Sequence, residues 1–148
     1  MSGKVNSNFE FSVLNFEYNF TKTLSAEKVE ELYIDSRWTN YTNDLPKLMR
    51  GIANSLDVIS VWDGEKLVGL IRTIGDGETI IYIQDILVLK AYKRQGIGRH
   101  LMKQILDKYE DVRQIILLTD SAIEQKAFYE SMGMKDCSLS DLKTFMKV

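Results

Sequence analysis

The feature that most constrains this chain is the run TIIYIQDILVL, Thr79 to Leu89, followed within a few residues by KRQGIGRHLM. The run is almost continuously apolar, which fits a strand covered on both faces better than one alternating between core and water. From Gly96 the spacing turns helical. Ile97, Leu101, Met102, Ile105, Leu106 and Tyr109 share one side, with Arg99, Lys103, Gln104, Asp107 and Lys108 on the other. After DVRQ comes IILLT, a short buried strand. A strand, helix, strand succession requires a parallel pair with a right-handed crossover, so Thr79–Leu89 reads as a central strand.

The rest of the chain supplies further elements. Phe9 to Phe20 alternates but slips phase: Phe9, Phe11 and Val13 share one parity, Leu14, Phe16, Tyr18 and Phe20 the other. A bulge or a break between two strands produces such a slip. Ser25 can cap a helix with Val29, Leu32, Tyr33 and Ser36 on one face, ending near Arg37. RWTNYTND reads as a loop leading to Asp44, the cap of a second helix with Pro46 in its first turn. Strands follow at Leu56–Trp62 and Leu67–Ile74, joined by DGEK, with Gly64 available for the turn. GDG, Gly75 to Gly77, turns the chain again. Ala122–Met132 reads as a helix stopped by Gly133, and Thr144–Val148 as a closing strand.

Bulk properties set outer bounds. A chain of 148 residues can bury a core without metal or disulfide staples. Residues 1–8 read as a disordered leader and residues 9–148 as a single domain. A formal charge of −2 gives no basic field, which argues against a nucleic-acid partner. No apolar segment approaches the roughly 18 residues of a membrane span, and the polar start MSGKVNSN has no signal core. With one cysteine, Cys137, no intrachain disulfide forms. A cytoplasmic location with no membrane partner is the expectation. Cys137 itself reads as a small apolar filler. The single histidine, His100, excludes a metal site built on histidines and reads as a surface residue.

At the strand-to-helix junction the first helical amides lack partners within the helix and meet the positive end of its dipole, an arrangement that favours an anion. Gly96 and Gly98 let a phosphate approach the backbone, and Lys93, Arg94 and Arg99 add charge. The Walker pattern is absent, and so is the full dinucleotide fingerprint. Alone, the two glycines fit equally a turn with a solvated basic rim.

In context, IQDILVLKAYKRQGIGRHLM resembles the signature of the GCN5-related N-acetyltransferase (GNAT) superfamily, [RQ]-x-x-G-x-[GA] after a bulged central strand. The pattern falls on Lys93, Gly96 and Gly98, and AFYESMGM resembles the family's tyrosine-bearing helix followed by glycine. Element order agrees over nearly the whole chain. The resemblance implies an α/β fold with a mixed, mostly antiparallel central sheet. A V-shaped splay opens between the parallel strands at Thr79–Leu89 and Ile115–Thr119, and helices cover both faces. It implies acetyl coenzyme A as cosubstrate and no metal. The backbone of Ile86, Leu87 and Val88 would pair with the pantetheine arm, and the amides of Arg94, Gln95, Gly96, Ile97, Gly98 and Arg99 would hold the pyrophosphate. The acceptor implied is a small-molecule or peptide amine, and the resemblance allows a homodimer.

Direct transfer from a thioester needs a neutral amine, a donor for the developing oxyanion and an acid for the leaving thiolate. An amide of Leu87 or Val88, freed by a bulge, is the expected donor. Tyr129, four residues before Gly133, stands at the family's acid position. Asp85 is the only acid in its strand and reads equally as base or as structural carboxylate; Tyr82 and Gln84 could instead order a water. Trp38 and Tyr41 read either as an aromatic wall for a cationic amine or as core packing. Two departures from the pattern stand out: Lys93 replaces the usual Arg or Gln, and Ala122 replaces an Asn common in the family, leaving Ser121 or Glu124 as substitutes. The rival reading is a non-catalytic acyl-coenzyme-A sensor or interaction module.

Overall fold

The computed structural model describes residues 15–148. They fall into two compact units, one ending at Leu117 and one spanning Leu118–Val148. The alternation predicted at residues 9–14 lies outside the described residues.

In the first unit, five strands form one sheet in chain order: β1 (Glu17–Asn19), β2 (Asp57–Asp63), β3 (Lys66–Gly75), β4 (Ile80–Val88) and β5 (Gln114–Leu117). The first three pairings are antiparallel and β4–β5 is parallel, as the crossover argument requires. Helices α1 (Ala26–Asp35), α2 (Thr39–Thr42) and α3 (Leu45–Ala53) lie between β1 and β2 in sequence, and α4 (Ile97–Lys108) links β4 to β5. The mixed, mostly antiparallel architecture is the predicted one.

Local chemistry starts these helices where expected. The Ser25 side chain accepts from the Lys28 amide at 3.4 Å, and Asp44 accepts from the Lys47 amide at 3.1 Å. The faces that follow bury Val29, Leu32 and Tyr33 of α1, Leu48 and Ile52 of α3, and Ile97, Leu101, Met102 and Ile105 of α4. One expectation is corrected: RWTNYTND is not simply a loop, because its centre winds into α2.

A β-bulge decides how β4 is used. Arg72 of β3 opposes Asp85, and the next residue, Thr73, opposes Ile83, so Gln84 is the extra residue. Cross-strand partners point to the same face, whereas Arg72 and Thr73, being adjacent, point to opposite faces. Ile83 therefore shares a face with Thr73, and Asp85 shares the other with Arg72. The burial of β4 alternates without interruption from Ile81 through Leu87, yet its buried residues change sides at Gln84. Ladder register is regular at Leu87 and Val88, so the irregularity lies upstream of the residues the sequence suggested.

In the second unit, α5 (Ile123–Ser131) is closed by Gly133, whose amide donates to the Glu130 carbonyl at 3.0 Å while that of Met134 donates to Tyr129 at 3.1 Å. A single turn of 3₁₀-helix follows at Cys137–Leu139. Two expectations fail here. Among the described residues Thr144–Val148 forms no strand. Cys137 is exposed rather than packed as an apolar filler.

Candidate functional site

Parallel pairing of β4 with β5 runs only from Ile80 opposite Gln114 to Ile83 opposite Leu117. Beyond that point β4 continues through Val88 with β3 on one side and, among the described residues, no strand on the other. Strand peptide groups on such an edge are unpaired and can pair with an extended ligand. Ile86, Leu87 and Val88 lie on this open stretch. Leu87 is 3% exposed, so its contribution there is backbone.

The chain then passes through one 3₁₀ turn, Lys90–Tyr92, anchored from two sides. The Lys90 amide donates to Asp35 at 2.8 Å, and the Tyr92 hydroxyl donates to Asp63 at 2.6 Å. Arg94 and Gly96 both take left-handed backbone, at φ 65° and 84°. A non-glycine residue held there costs about 1–3 kcal/mol, a strain typical of ligand clamps. Handedness alternating along a short segment turns successive N–H groups into one anion-binding concavity. Gly96 is also the N-cap of α4, and no side chain caps that helix, so the donors of its first turn are left to a ligand or to water. Arg94, Gln95, Gly96, Ile97, Gly98 and Arg99 are thus brought together as one loop and helix start. Ile97 points its side chain into the core: a methyl on Gly69 would lie 3.2 Å from its Cγ2.

On the α1–α3 face, Asp85 has a full set of partners on one oxygen. Its Oδ2 takes the Nε–H of Arg72 and the Tyr33 hydroxyl, the latter at 2.8 Å. Arg72 also donates to Ser55 Oγ at 3.3 Å. The ion pair is almost fully enclosed, with side-chain exposures of 6% and 0%. Burial pushes the Tyr33 phenol up, and the Asp85 charge adds to it. Burial works to lower Arg72, but the Asp85 carboxylate outweighs this and leaves the guanidinium raised. Asp85 Oδ1 is buried without a hydrogen-bond partner.

The bulge residue Gln84 donates to the Tyr41 hydroxyl at 2.6 Å. Tyr33, Trp38 and Tyr41 meet ring to ring at 5.6–6.1 Å between centroids, and the Arg72 guanidinium lies 6.0 Å from the Tyr41 ring. Arg72 and Tyr33 escaped the sequence reading as functional candidates. The signal was present: an arginine inside the apolar strand LVGLIRTI needs a buried countercharge, and Asp85 is the one acid inside the strand that follows.

His100 is half-buried rather than a plain surface residue. Its ring stacks edge-on to Tyr18 at 4.5 Å, and burial followed by the Lys103 charge lowers its pKa. Among the described residues no cluster of His, Cys, Asp or Glu could hold a metal, and no helix is long and apolar enough to cross a membrane.

In the second unit, burial raises the Tyr129 phenol and the Asp120 charge adds to this, against a hydrogen bond with Thr119. The α5 N-cap is Ala122, which has no capping side chain; its own amide donates to Asp120 at 2.9 Å.

Residues 20–144 match the family model described as "Acetyltransferase (GNAT) domain". The chain belongs to the GNAT acetyltransferase family. A relative, an uncharacterized N-acetyltransferase (ycf52) of Gracilaria tenuistipitata var. liui, is 26% identical over 128 residues, covering 82% of this chain and 68% of that protein. Among solved structures, a GNAT-family acetyltransferase from Streptococcus pneumoniae TIGR4 aligns at TM-score 0.80 and 33% identity, covering 90% of this chain and 97% of its own. A protein of unknown function from meticillin-resistant Staphylococcus aureus aligns at TM-score 0.73 and 22% identity, over 90% and 99%. That last likeness is one of fold. The segment that resembles the GNAT signature lies along the open β4 edge and the uncapped start of α4.

Proposed function

We propose that this GNAT protein transfers an acetyl group from acetyl coenzyme A to a primary amine by direct transfer in a ternary complex. The observation that carries this reading is the junction of an open strand edge, residues 84–88, with a left-handed loop and an uncapped helix start. Together they suit a ligand with an amide-bearing arm and a pyrophosphate. Ile86 to Val88 would pair with the arm and the amides of Arg94 to Arg99 would receive the anion. Lys93 keeps the charge of the family's Arg, without the planar fork. Acetyl coenzyme A supplies the activated acyl group when bound.

The chain's own residues then have distinct tasks. Tyr129 is the acid in this reading: a phenol raised by burial stays protonated at neutral pH and can give its proton to a departing thiolate. Asp85 acts as a positioning residue, because Arg72 and Tyr33 already use its Oδ2 and hold it in the core. It fixes the strand beside the bulge, and the amine loses its proton to water at the open edge. Trp38 and Tyr41 form the aromatic side of the acceptor region, with Gln84 orienting Tyr41.

The test is a thiol-release assay over a panel of amines, paired with calorimetric titration of coenzyme A. Turnover on at least one amine is expected. Tyr129→Phe should lower kcat at least tenfold while coenzyme affinity holds within twofold. Coenzyme binding without turnover on any amine would replace this reading with an acyl-coenzyme-A-binding module, and no binding would remove both.

A further inference from the structure

Asp35 is misplaced twice by charge. It is the last residue of α1, a helix with no basic residue in its final turn, so its carboxylate adds to the negative end of the helix dipole. It also lies against the segment leading into the anion-binding loop, because its Oδ2 accepts the Lys90 amide at 2.8 Å. Asp63 repeats the second conflict: its Oδ2 accepts the Tyr92 hydroxyl at 2.6 Å. Two carboxylates thus flank the approach to a concavity shaped for an anion, and their charge opposes that anion. What they can contribute there is geometry. Lys90 and Tyr92 are the two ends of the 3₁₀ turn, and Arg94 in left-handed backbone follows soon after. Strain of that kind persists only when the surroundings hold it, and Asp35 of α1 and Asp63 of β2 grip the turn from two elements.

Asp35 reaches the acceptor side as well. At the end of α1 the Arg37 amide donates to the Ile34 carbonyl at 2.9 Å and the Trp38 amide to that of Tyr33 at 3.1 Å, with Arg37 at φ 60°. Trp38 is therefore seated by the helix end that Asp35 closes. Tyr41 in turn is tied to Gln84. The aromatic corner is fastened to β4 through Gln84 and to the turn after β4 through Lys90, and the open edge runs between these two points. Among the described residues, Arg37 and Arg94 are the two non-glycine residues in left-handed backbone, one on each side of the Asp35–Lys90 bond. We propose that Asp35 is a positioning residue: through the Lys90 amide it holds the coenzyme loop in its anion-binding shape and links that loop to Trp38, with Asp63 as the second grip on the loop. This role rests on the junction being a coenzyme site. A link between two sites is reciprocal, so coenzyme A bound at the loop alters the surroundings of Trp38.

Calorimetric titration of the full chain with coenzyme A tests the grip. Asp35→Asn removes the charge and keeps an oxygen for the Lys90 amide, so it should bind as tightly as wild type or more tightly. Asp35→Ala removes both, and should bind about fivefold or more weakly than Asp35→Asn, the scale of one hydrogen bond. Tyr92→Phe, which loses the Asp63 bond, should weaken binding in the same sense. The link is read from Trp38 in a Trp62→Phe background, where it is the single indole. Coenzyme A should change its emission with the calorimetric midpoint, and Asp35→Ala should at least halve that change at saturation while Tyr92→Phe leaves it intact. If Trp62→Phe does not fold, hydrogen exchange at the Trp38 amide with and without coenzyme A replaces the emission. Asp35→Ala binding as tightly as Asp35→Asn, the result charge alone predicts, overturns the grip. A Trp38 response indifferent to Asp35→Ala overturns the link. If wild type binds no coenzyme A, the acetyl-transfer reading fails, and exchange at the Lys90 amide then decides the grip: Asp35→Ala should speed it where Asp35→Asn does not, and equal rates overturn it.

Discussion

Replacing Asp85 with Asn separates an anchoring carboxylate from a proton-accepting one. The substitution keeps shape and leaves an oxygen for Tyr33 and Arg72, but it strands the guanidinium as an uncompensated charge. Arg72 and Asp85 have side-chain exposures of 6% and 0%, so solvent screening cannot repair the loss. Breaking a buried pair from one side costs about 3–5 kcal/mol, roughly two to four powers of ten in the folding equilibrium. Against a total stability of about 5–15 kcal/mol, that is roughly a fifth or more for a typical domain. Tyr33→Phe removes a single hydrogen bond to the same carboxylate and should cost about 1.5–3 kcal/mol. The double change Arg72→Met, Asp85→Leu removes both charges and should recover most of the Asp85→Asn loss. Urea unfolding followed by fluorescence, with slopes compared across variants, gives these values. Asp85→Asn within 1 kcal/mol of wild type, or a double variant worse than the single, would refute the argument. If Asp85→Asn keeps its stability but loses turnover with a shifted pH profile, the carboxylate is the base.

Three further outcomes follow from the geometry. Asp57 accepts from Lys108 at 2.6 Å, from Thr73 at 2.6 Å and from Tyr109, and these bonds outweigh burial to hold its pKa below the usual 3.8. Its stabilisation is thus complete above that value and lost as pH falls through the lower folded pKa, so urea midpoints should drop below about pH 4 and Asp57→Asn should flatten that fall. Gly75→Ala places a methyl 2.2 Å from the Ile80 carbonyl oxygen at φ 155°; it should cost more than the roughly 1–3 kcal/mol of backbone strain alone, read as a lowered melting temperature. Gly96→Ala forces a side chain into a left-handed N-cap at φ 84°. The expected loss is about 1–2 kcal/mol, with weakened coenzyme binding by calorimetry and little change at Tyr129.

Much of the architecture was legible because the signals were local. Capping by Ser25 and Asp44, the Gly64 turn and the switch from strand to helical spacing at Gly96 each report on neighbours a few residues away. The parallel pair followed from chain order alone. Position along β4 was harder: an apolar strand says nothing about where an extra residue sits, because a bulge is defined by its partner. Gln84 stands out only once Arg72 and Thr73 are seen across the ladder. The Asp85 pairing failed to appear for the same reason, since Arg72 is distant in sequence and Tyr33 more so. At Thr144–Val148 the sequence offered only a short mixed run, and so short a run cannot by itself decide between strand and coil.

The extra residue in β4 works like a shift of reading frame applied to side chains. Upstream, odd-numbered residues face α4; downstream, odd-numbered residues face α1. What matters at position 84 is therefore that a residue is counted there, more than which residue it is. Gln84→Ala should leave the fold intact and cost the Tyr41 contact. Deleting Gln84 alters one amide in the sequence, but it would send Asp85 toward the apolar side of α4 and abandon Arg72 on the other.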